Sequence, residues 1–199
     1  MIQPSDSHEM TLLGWRWSDG AFSSQAYMEG LACLLQRHVN CSAVALWRIY
    51  GVTGERTMSC LGQHRASGER LPCDEALSEA RLGSYFAALE DRGVYVCAET
   101  RNPRDLSAAD DRNRRPDPPR AFLDALVSIN GLSFGVLTCY QDFGPHHWTA
   151  GEVTQLRRLA ARVALHLSRL MPNEFDADCD MWAAASSVDC RIAVIGERP

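Results

Sequence analysis

Apolar positions recur at helical spacing through Ser24–Val39, where Tyr27 or Met28, Leu31, Leu34, Leu35 and Val39 share one side. Ser23 or Ser24 is placed to cap this helix. The period then shortens. Ser42–Gly51 (SAVALWRIYG) reads as a strand, and Glu55–Arg65 as its partner through Val52-Thr53-Gly54. Helical spacing returns in Glu75–Gly93, with Leu77, Ala80, Phe86 and Leu89 on the buried side and Gly93 at the stop. Val94–Thr100 is a short strand, and Leu123–Cys139 alternates on both sides of Asn130-Gly131 as a hairpin does.

The clearest helix follows Trp148. Thr149 and Glu152 form a capping box, and Trp148 and Val153 stand where a hydrophobic staple places them. Val153, Leu156, Leu159, Ala160, Val163, Ala164, Leu167 and Leu170 form one stripe, with Arg157, Arg158, Arg162 and Arg169 mostly off it, and Pro172 stops the helix. Three segments lack this patterning. Residues 1–23 read as a loose N-terminal arm carrying Trp15 and Trp17. Residues 101–120 read as a long charged, proline-rich loop, either a solvated insert or a lid. Residues 172–199 read as a tail, with CRIAVIG as one further strand or exchanged element. The order of elements predicts an α+β domain over 24–171 built on an antiparallel sheet.

With Asn130-Gly131 at the centre of a two-residue type I′ turn, cross-strand pairs follow by counting. One face takes Ile129 with Leu132, Val127 with Phe134, Ala125 with Val136 and Leu123 with Thr138. This apolar face is expected against the C-terminal helix. The other takes Ser128 with Ser133, Leu126 with Gly135, Asp124 with Leu137 and Phe122 with Cys139. There Gly135 leaves room for a ligand or another backbone, Asp124 is an acceptor, and Phe122 and Cys139 are walls. The plain alternative is a solvated sheet face.

Composition narrows the chemistry. The chain has 199 residues, 46% of them hydrophobic, enough for one folded domain with a buried core. A net charge of −5 argues against binding driven by nucleic-acid phosphates. All 20 basic residues are Arg, which removes Walker, Schiff-base and general-base lysines. The 8 cysteines include no Cys-x-x-Cys, no signal peptide precedes them, and no apolar run approaches a membrane span. A cytoplasmic protein with reduced thiols is the expectation.

Residues Ser24–Leu170 resemble a GAF domain of the kind found as sensor modules in bacterial signalling proteins. The likeness is carried by SYFAALEDRGVYV (84–96), NPR (102–104), LDA (123–125), NGLSFGVL (130–137) and WTAGEV (148–153), with ALWRIYG and CLGQH matching more loosely. It implies a sheet of about six antiparallel strands, N- and C-terminal helices on one face and a loop-covered ligand pocket on the other (a GAF/PAS-like fold). The sequence departs from the family at three places. Leu126 stands where relatives carry Pro, Thr138-Cys139-Tyr140-Gln141 replaces a Cys-His-Glu-His-like run, and the 101–120 segment is Arg- and Pro-rich.

The expectation is a stand-alone sensory domain that binds a small molecule through Phe122, Asp124, Leu126, Leu137 and Cys139, with Tyr95 and Cys97 beside them. The cofactor is unassigned. Resemblance also implies a homodimer through the terminal helices and a separate downstream signalling partner. An interaction module without a ligand is the alternative. A thiol-dependent methionine-sulfoxide reductase using Cys97 and Cys139 is a further one, with Arg101 and Arg104 nearby to lower a thiol pKa. A metal site from His146, His147 and Cys139 or His64 lacks regular ligand spacing. No Cys sits in a recognisable bilin-attachment context, and no cyclic-nucleotide signature is present.

Overall fold

The computed structural model describes residues 4–18, 24–65, 67, 69–71, 76–100 and 118–170. The elements in chain order are α1 (Pro4–Ser18), α2 (Ser24–Val39), β1 (Ala43–Tyr50), β2 (Thr57–Arg65), β3 (Arg70–Leu71), β4 (Ala76–Ser78), α3 (Glu79–Arg92), β5 (Val94–Cys97), β6 (Ala121–Ile129), β7 (Leu132–Gln141) and α4 (Ala150–Leu170). The strands form one antiparallel sheet in the order β3-β2-β1-β7-β6-β5, with β4 paired to β2. The α+β reading therefore holds, with seven strands among the described residues where about six were expected.

Helices α1, α2 and α4 cover one face of this sheet. Their apolar stripes meet Leu123, Ala125, Val127 and Ile129 of β6 in a single buried cluster. α3 covers the other face with Leu82, Tyr85, Phe86 and Leu89 against Trp47, Phe122, Val136 and Tyr140. The N-terminal segment departs from expectation. In place of a loose arm it contributes α1, which buries Met10 and Leu13 against α2 and α4. Gly14 lets this helix approach closely, because a Cβ there would stand 2.2 Å from the His166 ring. Of the helices among the described residues, none is long and apolar enough to cross a membrane.

Local chemistry fixes the ends of these elements. Asn40 (φ 49°) ends α2 and Gly93 (φ 68°) ends α3, each in the left-handed region, with the Gly93 N–H donating to the Leu89 carbonyl. The α4 capping box is formed as expected. The Thr149 N–H donates to Glu152 Oε2 at 2.7 Å, and the Glu152 N–H donates to Thr149 Oγ1 at 3.2 Å. Trp148 and Val153 both pack on the helix-side cluster.

The hairpin turns at Asn130 (φ 51°) and Gly131 (φ 81°), as a type I′ turn requires. The first two pairs, Ile129 with Leu132 and Ser128 with Ser133, are those expected. Beyond them a β-bulge shifts the register by one residue. Val127 pairs with Gly135, Asp124 with Thr138 and Leu123 with Cys139, leaving Phe134 as the extra residue. The Phe134 ring stays on the helix side under the Arg48 guanidinium, 5.2 Å from its centroid. Gly135 explains why the bulge sits there. A Cβ on it would lie 2.1 Å from the Trp47 carbonyl oxygen, so this is the place where β1 backbone approaches.

Candidate functional site

The bulge decides which side chains share a face. It moves Leu137 and Cys139 from the face expected to hold the ligand to the helix-side core, and brings Val136, Thr138 and Tyr140 to the face under α3. A one-residue shift has this effect because side chains alternate with a period of two. The placement of Leu137 and Cys139 beside Asp124 is thus corrected. Phe122, Leu126, Tyr95 and Cys97 lie on the α3 side as expected, and Asp124 joins them there through its bond to Tyr85.

Sheet register builds the site in rows. Tyr95, Asp124, Thr138, Ala45 and Gln63 stand side by side on β5, β6, β7, β1 and β2. A neighbouring row runs Cys97, Phe122, Tyr140 and Ala43, and another runs Leu126, Val136, Trp47 and Cys60. On β1 the small Ala43 and Ala45 precede the large Trp47 along the same face, and Trp47, Tyr85, Phe122 and Tyr140 belong to one buried cluster there.

Asp124 is completely buried in its row. A carboxylate in that position needs hydrogen-bond donors. The Tyr85 hydroxyl of α3 donates to Asp124 Oδ2 at 2.7 Å, and the Thr138 hydroxyl of β7 donates to Oδ1 at 2.6 Å. Aromatic rings wall the group. Tyr95 stacks on Phe122 with centroids 5.9 Å apart and planes 12° apart, and Tyr85 meets Tyr95 edge-on at 5.0 Å. Asp124 therefore accepts from two hydroxyls that the hairpin count alone did not place beside it.

A further set of contacts ties α3 to the sheet. The Arg56 guanidinium donates from Nε to Glu79 Oε2 at 2.9 Å and also bonds Glu90, clamping the start of β2 to both ends of α3. Glu79 Oε2 further accepts the backbone N–H groups of Gly54 at 2.8 Å and Arg56 at 3.0 Å. Hydrogen bonding to Arg56, partly opposed by burial, holds the Glu79 carboxyl at about 2. At the other edge, Thr100 donates its N–H to the Arg120 carbonyl and its hydroxyl to the Pro119 carbonyl at 2.8 Å, closing the base of the loop that joins β5 to β6. Residues 101–117 of that loop, including the expected lid, lie outside the described residues, as does the 172–199 tail.

Asp124 lines neither of the following concavities among the described residues. One of about 240 Å³ lies between α3 and β5 and is lined in part by Tyr95. The other, about 500 Å³, opens between the end of α2 and the β7–α4 connection, with Cys41 and His146 in its wall. Among the described residues, no group of three His, Cys, Asp or Glu side chains is assembled. His146 instead lies 3.1 Å from Glu152 Oε1 and edge-on to Trp148. Cys33, Cys41, Cys97 and Cys139 are free thiols, whereas Cys60 is disulfide-bonded, contrary to the expectation of wholly reduced cysteines.

Solved structures share this architecture. The blue-light-absorbing form of the Thermosynechococcus elongatus PixJ GAF domain is 17% identical, with 95% of this chain and 99% of that one covered at a TM-score of 0.60. The far-red-absorbing dark state of JSC1_58120g3 with bound biliverdin IXa is 12% identical, covering 81% of this chain and 98% of that one at 0.61. The chromophore-binding domain of Stigmatella aurantiaca bacteriophytochrome is 10% identical, covering 83% of this chain and 60% of that one at 0.58. Among curated proteins, none matches this sequence. The GAF domain family model matches residues 25–167, the span from α2 through most of α4, and the chain accordingly belongs to the GAF domain family.

Proposed function

We propose that this GAF domain is a sensory module that binds a small molecule between the sheet and α3 and signals through a change of shape or of association. The reading makes it a regulatory domain without an enzymatic reaction of its own. The observation that carries it is the buried Asp124 carboxylate, held by Tyr85 and Thr138 inside an aromatic wall. A hydrophobic enclosure with few, well-placed polar groups is the usual form of a small-molecule site. On this reading Asp124 accepts a hydrogen bond from the ligand in exchange for one of its hydroxyl donors. Phe122, Leu126 and Tyr95 exclude water, and Thr138 and Tyr140 take the places assigned to Leu137 and Cys139 by the hairpin count. Cys97 lies at the margin of the same face.

A thermal-shift screen of the whole chain against metabolites, including tetrapyrroles because of the neighbours named above, tests the proposal. Hits that stabilise the native protein and lose their effect in Asp124→Asn support it. Hits that stabilise both proteins equally place the ligand elsewhere. Native mass spectrometry of freshly purified protein reads a retained ligand and the oligomeric state together. The proposed dimer uses α1, α2 and α4, and the exposed Leu165 of α4 (60% accessible) is the side chain whose burial it predicts. A cytoplasmic location and a separate signalling partner complete the proposal.

A further inference from the structure

β5 ends the sheet, and among the described residues no strand stands on its outer side. The Leu126 N–H donates to the Gly93 carbonyl at 3.0 Å, which makes Val94 and Ala125 a non-hydrogen-bonded pair. Backbone groups alternate along an antiparallel strand, so Val94 and Val96 turn their N–H and C=O groups outwards, away from β6. Ala98 follows β5 directly, and its carbonyl accepts the His146 N–H at 2.9 Å. A backbone donor thus already closes the edge just beyond Cys97. The 240 Å³ hollow is lined by Ala88 and Arg92 of α3 and by Val94, Tyr95 and Val96 of β5. The Val96 side chain is 44% accessible. Natural sheets blunt an edge with charge, proline or extreme shortness. The opposite edge does so, since β3 is two residues long and carries Arg70. The VYVC of β5 has neither charge nor proline.

We propose that the outer edge of β5 is a docking surface for an extended strand, and that residues 190–196 (CRIAVIG) of the same chain are its occupant. Added there, the segment extends the sheet past β5. Its backbone bonds Val94 and Val96, and its apolar side chains cover Val96. The sequence pattern selects this segment. Cys190, Ile192 and Val194 alternate with Arg191, Ala193 and Ile195, and the run holds Arg191 as its one charge and no proline. Residues 101–117, which follow β5 more closely in the chain, hold Pro103 and Pro116 and only Leu106 as a large apolar residue. Reach permits the docking. Trp148 Nε1 donates to the Cys97 carbonyl at 3.1 Å and Arg157 Nη2 to the Arg92 carbonyl, so α4 runs beside β5 in the opposite direction. Leu170, the end of α4, lies about 20 Å beyond Arg157 along the helix. Residues 171–189 span up to about 60 Å when extended, which brings the segment back to β5.

Amide hydrogen exchange of the full chain, followed by NMR, tests the proposal. Val94 and Val96 are expected to exchange slowly, together with alternate residues of 190–196. Cross-strand NOEs are expected between the two segments, and mixed labelled and unlabelled protein is expected to place them within one chain. Adjacent prolines, Ala193→Pro with Val194→Pro, remove an N–H of each orientation, so one of them faces β5 in either register. The double variant is expected to speed exchange at Val94 and Val96 by about tenfold or more. The Val127 and Leu137 amides, inside the sheet, are expected to stay unchanged and so report an intact fold. Equal exchange at Val94 and Val96 in the two proteins overturns the proposal. So do NOEs from Val94 or Val96 to residues 101–117 or to a second copy of the chain.

Discussion

The Tyr85 hydroxyl reaches from α3 to donate to Asp124 Oδ2 at 2.7 Å, joining a surface helix to the middle of the sheet through one buried carboxylate. Removing a donor from a buried charged acceptor costs more than removing one in water. Tyr85→Phe is expected to destabilise the fold by about 1–3 kcal/mol while keeping its ring packing. Thr138→Val should act similarly at Oδ1. Urea unfolding midpoints with unchanged slopes check both, and a neutral result for either would remove that hydroxyl from the account.

Gly135 is intolerant of any side chain. A Cβ 2.1 Å from the Trp47 carbonyl oxygen forces β1 and β7 apart, because the obstacle is backbone and cannot rotate away. Gly135→Ala is expected to cost about 3 kcal/mol or more, at or beyond the upper range for overpacked interiors. Gly83→Ala, where an added Cβ meets nothing within 4 Å, is the control and should be stabilising or neutral in α3. Thermal denaturation of the pair checks the contrast.

Acid sensitivity has two separable windows. The Glu79 carboxyl lies at about 2 in the folded protein, well below its ordinary value of 4.5. The Arg56 clasp therefore contributes fully above pH 4.5, where the unfolded carboxylate is also ionised. Its contribution is lost as the pH falls through the window down to about 2. The loss is on the order of 2–3 kcal/mol. Glu79→Gln should be less stable at pH 7 and should flatten this window in urea melts recorded against pH.

The second window belongs to His166. Burial, with Arg169 and Arg162 adding repulsion, lowers its pKa from 6.5 to about 4. Its Nδ1 lies 3.0 Å from the Tyr27 hydroxyl at the junction of α4 and α2. Above pH 6.5 the ring is neutral in both states and contributes no pH dependence. As the pH falls from 6.5 to about 4 the unfolded chain gains a proton that the folded one does not, so stability declines. His166→Gln should abolish the slope between pH 6.5 and 4.5 while leaving the Glu79 window intact. NMR titration of the imidazole gives the pKa directly.

Most of the elements were legible because periodicity and punctuation agreed. The α4 stripe, its Thr149–Glu152 box, the Gly93 stop and the Asn130-Gly131 turn each appear as their local chemistry predicts. The site was only half legible. Asp124, Phe122, Leu126 and Tyr95 share one side of the sheet as the count placed them, but counting from a perfect two-residue turn cannot reveal a bulge two pairs further on. Gly135 carried the signal. It was read as an opening for a ligand or a backbone, and the backbone of Trp47 fills it. Tyr85 was hidden for another reason: it belongs to the apolar stripe of α3 by spacing, and only the tertiary fold shows that its hydroxyl has a carboxylate to meet. The Arg56–Glu79–Glu90 clasp joins residues distant in sequence and leaves no local trace.

The central claim is that ligand binding uses the sheet face under α3. Intermolecular NOEs from a hit of the screen to methyl-labelled protein test it most directly. The account predicts contacts to the methyl groups of Leu126, Val136 and Thr138, all on that face. Contacts to Val127 and Leu137 in their place, from the opposite side of the same two strands, would contradict it.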